Sequence, residues 1–442
     1  MNRIFLTATL LLCLLGNAAA QENEPTRYDT QAEILAMPAK TAGEYSAYET
    51  HLPPPTKPPK GYKPVYISHF GRHGSRYALS ESIYEQLREI FAKAHADGKL
   101  TYRGERLYQD YEAFYPKVAH REGELTLKGQ EQHRQIVRKM IKDYPNVFKG
   151  KTHAEVISTN VHRVILSMTA FLNEIDWRVR DFDFAVDAGN VYYPILEPSK
   201  QLSPSYIKPK PYPEKTKAML EAFTKEKRNT QAFAAKFFSD TDYLEKNYGM
   251  ALFQSQMWVV ISDLPNLDFD PGYVFADVFT PKELYNYWET RNLADYIRFG
   301  NSPFTDNLNC MHSCVTVKDI LEKAEEDLSG NRKTDLRLRF SHDTGLMPLL
   351  SFMGVNSFGA RIDNPDEVAS YWRCFDIPMG ANLQLVFFRS QKNPEILVKA
   401  LLNGREAVLP FESVTGPFYS WNEFKAYYEK RIQEAEAFLA RY

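Results

Sequence analysis

Apolar and polar positions change period along this chain in a way that predicts strands alternating with helices. The run Val65-Tyr66-Ile67-Ser68-His69-Phe70 is almost continuously apolar, the pattern of a short buried strand. Gly74 permits a sharp turn after it. Ile83, Leu87, Ile90, Phe91 and Ala94 then recur on one helical face, with Ser82 and Glu85 spaced as a capping box and Gly98 as the stop. Leu125-Thr126-Leu127-Lys128-Gly129 introduces a further helix, carrying Ile136, Val137, Met140 and Ile141 and ending before Pro145. Glu155 to Asn160 reads as a strand-to-helix junction. Thr159 or Asn160 is placed to cap a helix with an apolar face of Val161, Val164, Ile165, Met168, Leu172 and Ile175. Leu336, Leu338 and Phe340 alternate with arginines, the period-2 mark of a half-buried strand, and His342 keeps the inward parity at its end. Thr344 to Leu350 begins the next helix, whose first turn tolerates Pro348.

Strands separated by helices predict an α/β core, assigned to residues 61–177 and 331–442. Residues 178–330 differ. Tyrosines and prolines cluster at Tyr192-Tyr193-Pro194 and at Lys208 to Pro213, and helical segments follow at Lys215–Lys225 and Pro281–Arg291. This stretch is expected to form a mostly helical insert over the core, with Lys208, Lys210, Lys215 and Lys217 on a solvated surface rather than, as the alternative, facing an anionic substrate. Residues 21–60 are polar and Pro-rich, which predicts an extended arm. Residues 1–20 read as a signal peptide, with Arg3, an apolar run from Ile4 to Leu15, and Ala18-Ala19-Ala20 as the cleavage signal. That predicts export to the periplasm or beyond, with the mature chain starting at Gln21. The apolar run is shorter than the roughly 20 residues a bilayer span needs, so no stable membrane insertion is expected.

Composition narrows the choice of partner. The 442 residues are 44% hydrophobic, enough for a large core. The net charge of −2 gives no sign of nucleic acid or an anionic membrane as a partner. After Cys13 is removed, Cys310, Cys314 and Cys374 allow one bridge at most, so a local disulfide or buried thiols are expected. Cys310, His312 and Cys314 lack a fourth ligand at zinc-like spacing.

The chemistry concentrates at two points. Arg72-His73-Gly74-Ser75-Arg76 sets a histidine between two arginines where the first strand ends, and α/β folds place ligands at such carboxyl ends. Two guanidiniums can grip a phosphate there while a neutral imidazole attacks phosphorus. Arg163 lies in the first turn of its helix, off the apolar face, at an electropositive helix end. His342-Asp343 closes the downstream strand. Together these residues supply what phosphoryl transfer from a monoester requires. His73 is the expected nucleophile, and Arg72, Arg76, Arg163 and protonated His342 are expected to hold the phosphoryl oxygens. Asp343, starting protonated, is the expected acid for the leaving group, which predicts an acidic optimum. Fixed cations stand in for a metal, so neither metal nor cofactor is expected.

These residues resemble the histidine acid phosphatases, branch 2 of the histidine phosphatase superfamily. The family pattern R-H-G-x-R matches Arg72 to Arg76, L-T-x-x-G matches Leu125, Thr126 and Gly129, S-T-x-x-x-R-x-x-x-S matches Ser158, Thr159, Arg163 and Ser167, and H-D matches His342 and Asp343. The resemblance implies a phosphoglycerate mutase-like mixed sheet flanked by helices, with a mostly helical domain over the active site. It also implies a phosphohistidine intermediate. The layout is similar to bacterial relatives of multiple inositol polyphosphate phosphatase and phytase. Ala78 stands where the family has proline, Gly345 where phytases of the family have asparagine, and His342-Asp343-Thr344 where the inositol polyphosphate group has H-A-E. The expected substrate is a small phosphate monoester, an inositol polyphosphate or a sugar phosphate. A phosphoglycerate mutase-type phosphotransferase and a non-catalytic phosphate-binding protein are the alternatives.

Overall fold

A computed structural model describes residues 25–198, 212–270, 275–305, 308–329 and 334–441. The segment read as a signal peptide, and Lys208 and Lys210, lie outside the described residues. Eight strands form one mixed sheet: β1 (Tyr62–Arg72), β2 (Thr152–Ser158), β3 (Phe182–Ala188), β4 (Leu336–Ser341), β5 (Asn382–Ser390), β6 (Leu397–Leu402), β7 (Arg405–Glu406) and β8 (Tyr419–Ser420). The order is β3-β2-β4-β1-β5-β6-β7, with β8 also paired to β6. β3, β2, β4 and β1 run parallel, while β5 and β6 turn antiparallel. Arg72 is in register with Ser341, and Ser158 with Phe340, so β1, β4 and β2 end together. That shared edge, which pairs residues 269 and 182 positions apart in sequence, is where the site forms.

Helices cover both faces of the sheet, as buried parallel strands require. Helices Leu127–Asp143 and His162–Arg178 pack one face through Ile136, Val137, Phe171 and Ile175 against Ile67, Leu338 and Phe340. Helices Cys314–Leu328, Asp343–Met353 and Trp421–Leu439 cover the other, against Tyr66, Phe70, Leu385 and Phe387. Every described regular element between β3 and β4 is helical. A separate aromatic cluster binds Phe233, Phe253, Trp258 and Tyr287 from that stretch to Tyr84, Phe91, Tyr111 and Phe114 from helices Glu81–Ala96 and Tyr102–Phe114. The helical layer therefore draws on residues 81–114 as well as on the stretch after β3. Lys215 and Lys217 are exposed, on helix Glu214–Lys227.

Local signals are overruled in three places. Helix Glu81–Ala96 starts one turn position before Ser82, and its N-cap Ser80 makes no side-chain capping bond, so the Ser82–Glu85 capping box does not form. Neither Thr159 nor Asn160 caps helix His162–Arg178, which begins after Val161. Thr159 instead turns to His342, and Asn160 bonds Asn190 and Tyr193. Residues 21–60 are not simply an extended arm. Within them, helix Thr30–Ala36 and a 3₁₀ stretch Pro38–Tyr45 fold back on the protein and bury Ile34, Ala42 and Glu44. Burial of these side chains outweighs the extended preference of the flanking prolines. Among the described residues no helix is long and apolar enough to cross a membrane.

Candidate active site

The loop after β1 is held by neighbours on three sides. The amide of Gly74 donates to Ser167 Oγ at 3.1 Å, and Ser167 in turn donates to the Arg163 carbonyl at 2.8 Å. Gln132 accepts from the Ser75 amide at 2.8 Å and donates to Ser75 Oγ at 2.8 Å. Ser75 Oγ donates to Asn266 Oδ1 at 2.6 Å, which ties the loop to the helical layer. Thr126 caps its helix by accepting from the Gly129 amide and donates to the Ser75 carbonyl at 3.0 Å. Gln132 and Asn266 carry no recognisable pattern in the sequence. Ser167 belongs to the S-T-x-x-x-R-x-x-x-S element, and its place beneath Gly74 gives that element a structural reason.

His73 is 2% exposed. Its Nδ1 lies 2.9 Å from the Gly74 carbonyl, which can only accept, so Nδ1 carries the proton and Nε2 keeps its lone pair. Burial, then Arg72, Arg163, His342 and Arg76, hold the His73 imidazole well below its usual range. It is therefore a neutral nucleophile even in acid. The His73 and His342 rings meet nearly edge-on, with centroids 5.5 Å apart.

Arg72 is fixed from behind. Its Nη1 donates to the carbonyls of Glu44 at 2.6 Å and Ile377 at 2.7 Å, and Nη2 donates to Asp343 Oδ2 at 3.3 Å. The stretch read as an arm thus supplies an anchor for a site arginine. Arg76 donates to the Tyr77 carbonyl at 2.9 Å, lies over the Tyr45 ring, and has Asp263 Oδ2 3.5 Å from its Nη1. Arg163 Nη2 approaches His342 Nδ1 at 3.4 Å, and Thr159 Oγ1 lies 3.2 Å from His342 Nε2. Burial, with Arg76 and Arg72 nearby, pulls the Arg163 guanidinium down to about 10, still charged at any working pH. All six expected site residues, Arg72, His73, Arg76, Arg163, His342 and Asp343, converge on this cleft.

The charge state of Asp343 is set by its neighbours. Burial alone would raise its carboxyl, but Arg72, His342, Arg76 and the Thr344 amide, which donates to Oδ1 at 3.0 Å, outweigh burial and hold it well below the usual carboxylate range. This pairing favours the Asp343 carboxylate, whereas the sequence reading has Asp343 start protonated as the acid. Gly345 has a geometric reason. A Cβ there would lie 2.3 Å from the Leu196 carbonyl, so glycine lets the turn Tyr193–Leu196 press against the site. Glu197 follows that turn and accepts a hydrogen bond from Thr344 Oγ1.

Among the described residues, one buried cluster has ligand atoms close enough for a metal: Glu44, Asp295 and Cys374, all within 4.8 Å of one another. A cation already bridges its carboxylates, because Arg291 places Nη2 2.6 Å from Glu44 Oε1 and Nε 3.2 Å from Asp295 Oδ2. The cluster fits an ion-pair buttress behind Arg72 better than a metal centre. Cys310, Cys314 and Cys374 are buried free thiols, so of the two expectations for them the disulfide is the one that fails.

Comparison with known proteins bears on the fold and the family. A Bifidobacterium longum multiple inositol polyphosphate phosphatase, solved with phosphate, superposes with a TM-score of 0.69 at 15% identity, covering 88% of this chain and 97% of that one. The same enzyme solved with inositol hexasulfate gives 0.68 at 15% identity, over 88% and 97%. A phytase from D. castellii gives 0.64 at 17% identity, over 89% of this chain and 84% of that one. A probable acid phosphatase of Saccharomyces cerevisiae is 23% identical over 415 residues, 88% of this chain and 82% of that protein. The family model for branch 2 of the histidine phosphatase superfamily matches residues 70–173 and 199–403. The match covers well over half of the chain, and this protein belongs to that branch as a phosphatase hydrolase.

Proposed function

We propose that this protein is an exported phosphomonoesterase that needs no metal and works through a phosphohistidine on His73, with inositol polyphosphates as the favoured substrates and sugar phosphates next. The observation that carries the reading is the His73 tautomer. A buried neutral imidazole with Nδ1–H bound to the Gly74 carbonyl, flanked by three guanidiniums, leaves Nε2 to attack a bound phosphoryl group. Three guanidiniums face the point where the phosphoryl group would sit, which suits the site to an oxyanion.

A monoester's second ionisation lies near pH 6, so in acid the substrate enters as a monoanion carrying one proton. That proton passes to Asp343, whose carboxylate the incoming phosphate charge makes more basic. Nε2 of His73 attacks phosphorus, the P–O bond to the leaving group breaks, and Asp343 returns the proton to the departing oxygen. Asp343, again a carboxylate, then takes a proton from water as its oxygen attacks the phosphohistidine, and the P–N bond breaks to release inorganic phosphate. His342 and the arginines hold the three non-bridging oxygens throughout.

Inositol polyphosphates are favoured because the B. longum neighbour is an inositol polyphosphate phosphatase and was solved with inositol hexasulfate. The apolar segment 4–15 and Ala18-Ala19-Ala20 support export. The test is phosphate release from phytate, glucose 1-phosphate and p-nitrophenyl phosphate at about pH 4 to 7, spanning the substrate's own ionisation, with EDTA present and His73→Ala alongside. Phytate turnover lost in the variant supports the reading. Silence on all three substrates counts against it.

A further inference from the structure

Asp263 is the last residue of helix Met250–Asp263 in the helical layer, 187 residues from Arg76 in sequence but packed directly against it. It is 0% exposed, and neither carboxylate oxygen has a hydrogen-bond partner. Its nearest charge is Arg76, with Nη1 3.5 Å from Oδ2. The same guanidinium leaves Nε without a partner while lying over the Tyr45 ring. A buried carboxylate without a full hydrogen bond is costly, and here the charges compensating it, Arg76 first and then Arg72, belong to the phosphate site.

We propose that Asp263 is a positioning residue that holds Arg76 in the empty site and, by taking up a proton from solvent, yields it to a bound phosphoryl oxyanion. This rests on the phosphatase reading above. The groups facing Asp263 are Arg76 and Arg72 from the loop, Glu44 and Tyr45 from the 3₁₀ stretch, Tyr84 from helix Glu81–Ala96, and Asn266 just beyond its own helix. Burial pushes the Asp263 carboxyl up to about 7, against the pull of Arg76 and Arg72. An oxyanion placed on Arg76 takes away part of that pull and raises it further. Below this range the carboxyl is neutral and Arg76 is committed to the ligand. Above it, Asp263 and the ligand compete for one guanidinium, and oxyanion affinity falls as pH rises.

Sulfate is the probe, because it stays a dianion across the range and its own titration does not intrude. Its dissociation constant is measured by calorimetry for the wild type and for Asp263→Asn, which keeps the shape and removes the charge. At about pH 5.5 the two proteins should bind sulfate within about twofold, and at about pH 8.5 the variant should bind about tenfold more tightly. A ratio that stays constant with pH, or a variant that binds more weakly at pH 8.5, overturns the proposal. A second measurement uses the wild type alone. Near pH 7, sulfate binding in two buffers of different ionisation enthalpy should report net proton uptake, and its absence also overturns the proposal. Neither readout needs turnover. Failure of p-nitrophenyl phosphate hydrolysis in the same wild-type preparation would count against the phosphatase reading and leave the Asp263 result standing on its own.

Discussion

Gly74 and Gly129 touch backbone to backbone: a Cβ on Gly74 would lie 2.4 Å from the Gly129 carbonyl oxygen, and one on Gly129 would lie 2.3 Å from the Ser75 carbonyl oxygen. Both approaches are shorter than real contacts allow, and the atoms they would strike are backbone. The loop that carries His73 is thus seated on the start of helix Leu127–Asp143, which explains why L-T-x-x-G accompanies R-H-G. Gly129→Ala should cost about 1–3 kcal/mol by overpacking. It should also lower kcat about 100-fold, because it displaces His73 from its line of attack. Thermal unfolding and steady-state kinetics check both, and a variant with unchanged kcat would detach loop placement from catalysis.

Removing the nucleophile should remove the covalent intermediate. His73→Ala is expected to lower turnover of p-nitrophenyl phosphate by on the order of 10⁴-fold or more, as loss of a nucleophile does elsewhere. Labelled substrate quenched during turnover should leave acid-labile, base-stable phosphate on the wild type and none on the variant. Label retained on the variant would place the nucleophile elsewhere.

Much of the site is legible in the sequence because its chemistry sits at strand ends. β1 announces itself by an apolar run and β4 by alternation, and Arg72, His73, His342 and Asp343 stand at their carboxyl ends. What was not legible depends on partners far away in the chain. Thr159 has every local mark of a helix cap, yet it faces His342, 183 residues on. Residues around Glu44 read as a Pro-rich arm, since nothing local shows that the Glu44 carbonyl will hold Arg72. Asp263 is an ordinary aspartate at the end of a helix until the fold brings Arg76 to it. The carboxylate preference of Asp343 is equally hidden, because it answers to Arg72 and Arg76, which the fold brings from the first strand's end.

The three cysteines of the described residues should be inert while the protein is folded. Cys310, Cys314 and Cys374 are 1%, 2% and 0% exposed, and burial pushes the Cys310 thiol up to about 12 and the Cys314 thiol to about 11. Ellman's reagent is expected to find none of them in the native protein and all three after denaturation. Fast labelling of the native protein would show that these helices open readily.

Asp343 is the residue whose two roles can be separated by leaving group and by pH. As the proton donor, it matters most when the departing alkoxide is a poor leaving group. Asp343→Asn should therefore slow an alkyl phosphate such as glucose 6-phosphate about 10²–10³-fold, and p-nitrophenyl phosphate much less, in line with the usual worth of general acid catalysis. Equal losses on both would remove Asp343 from that role. The same carboxyl is held below its unfolded value by Arg72, His342 and Arg76 despite its burial. A depressed aspartate adds stability above its unfolded pKa of about 4, and that contribution is lost as pH falls through the folded value. The wild type should thus unfold at a higher temperature than Asp343→Asn near neutrality, and the gap should narrow as the pH drops below about 4. A gap that widened in acid would mean that the pairing with Arg72 at 3.3 Å does not hold the Asp343 carboxylate in the folded protein.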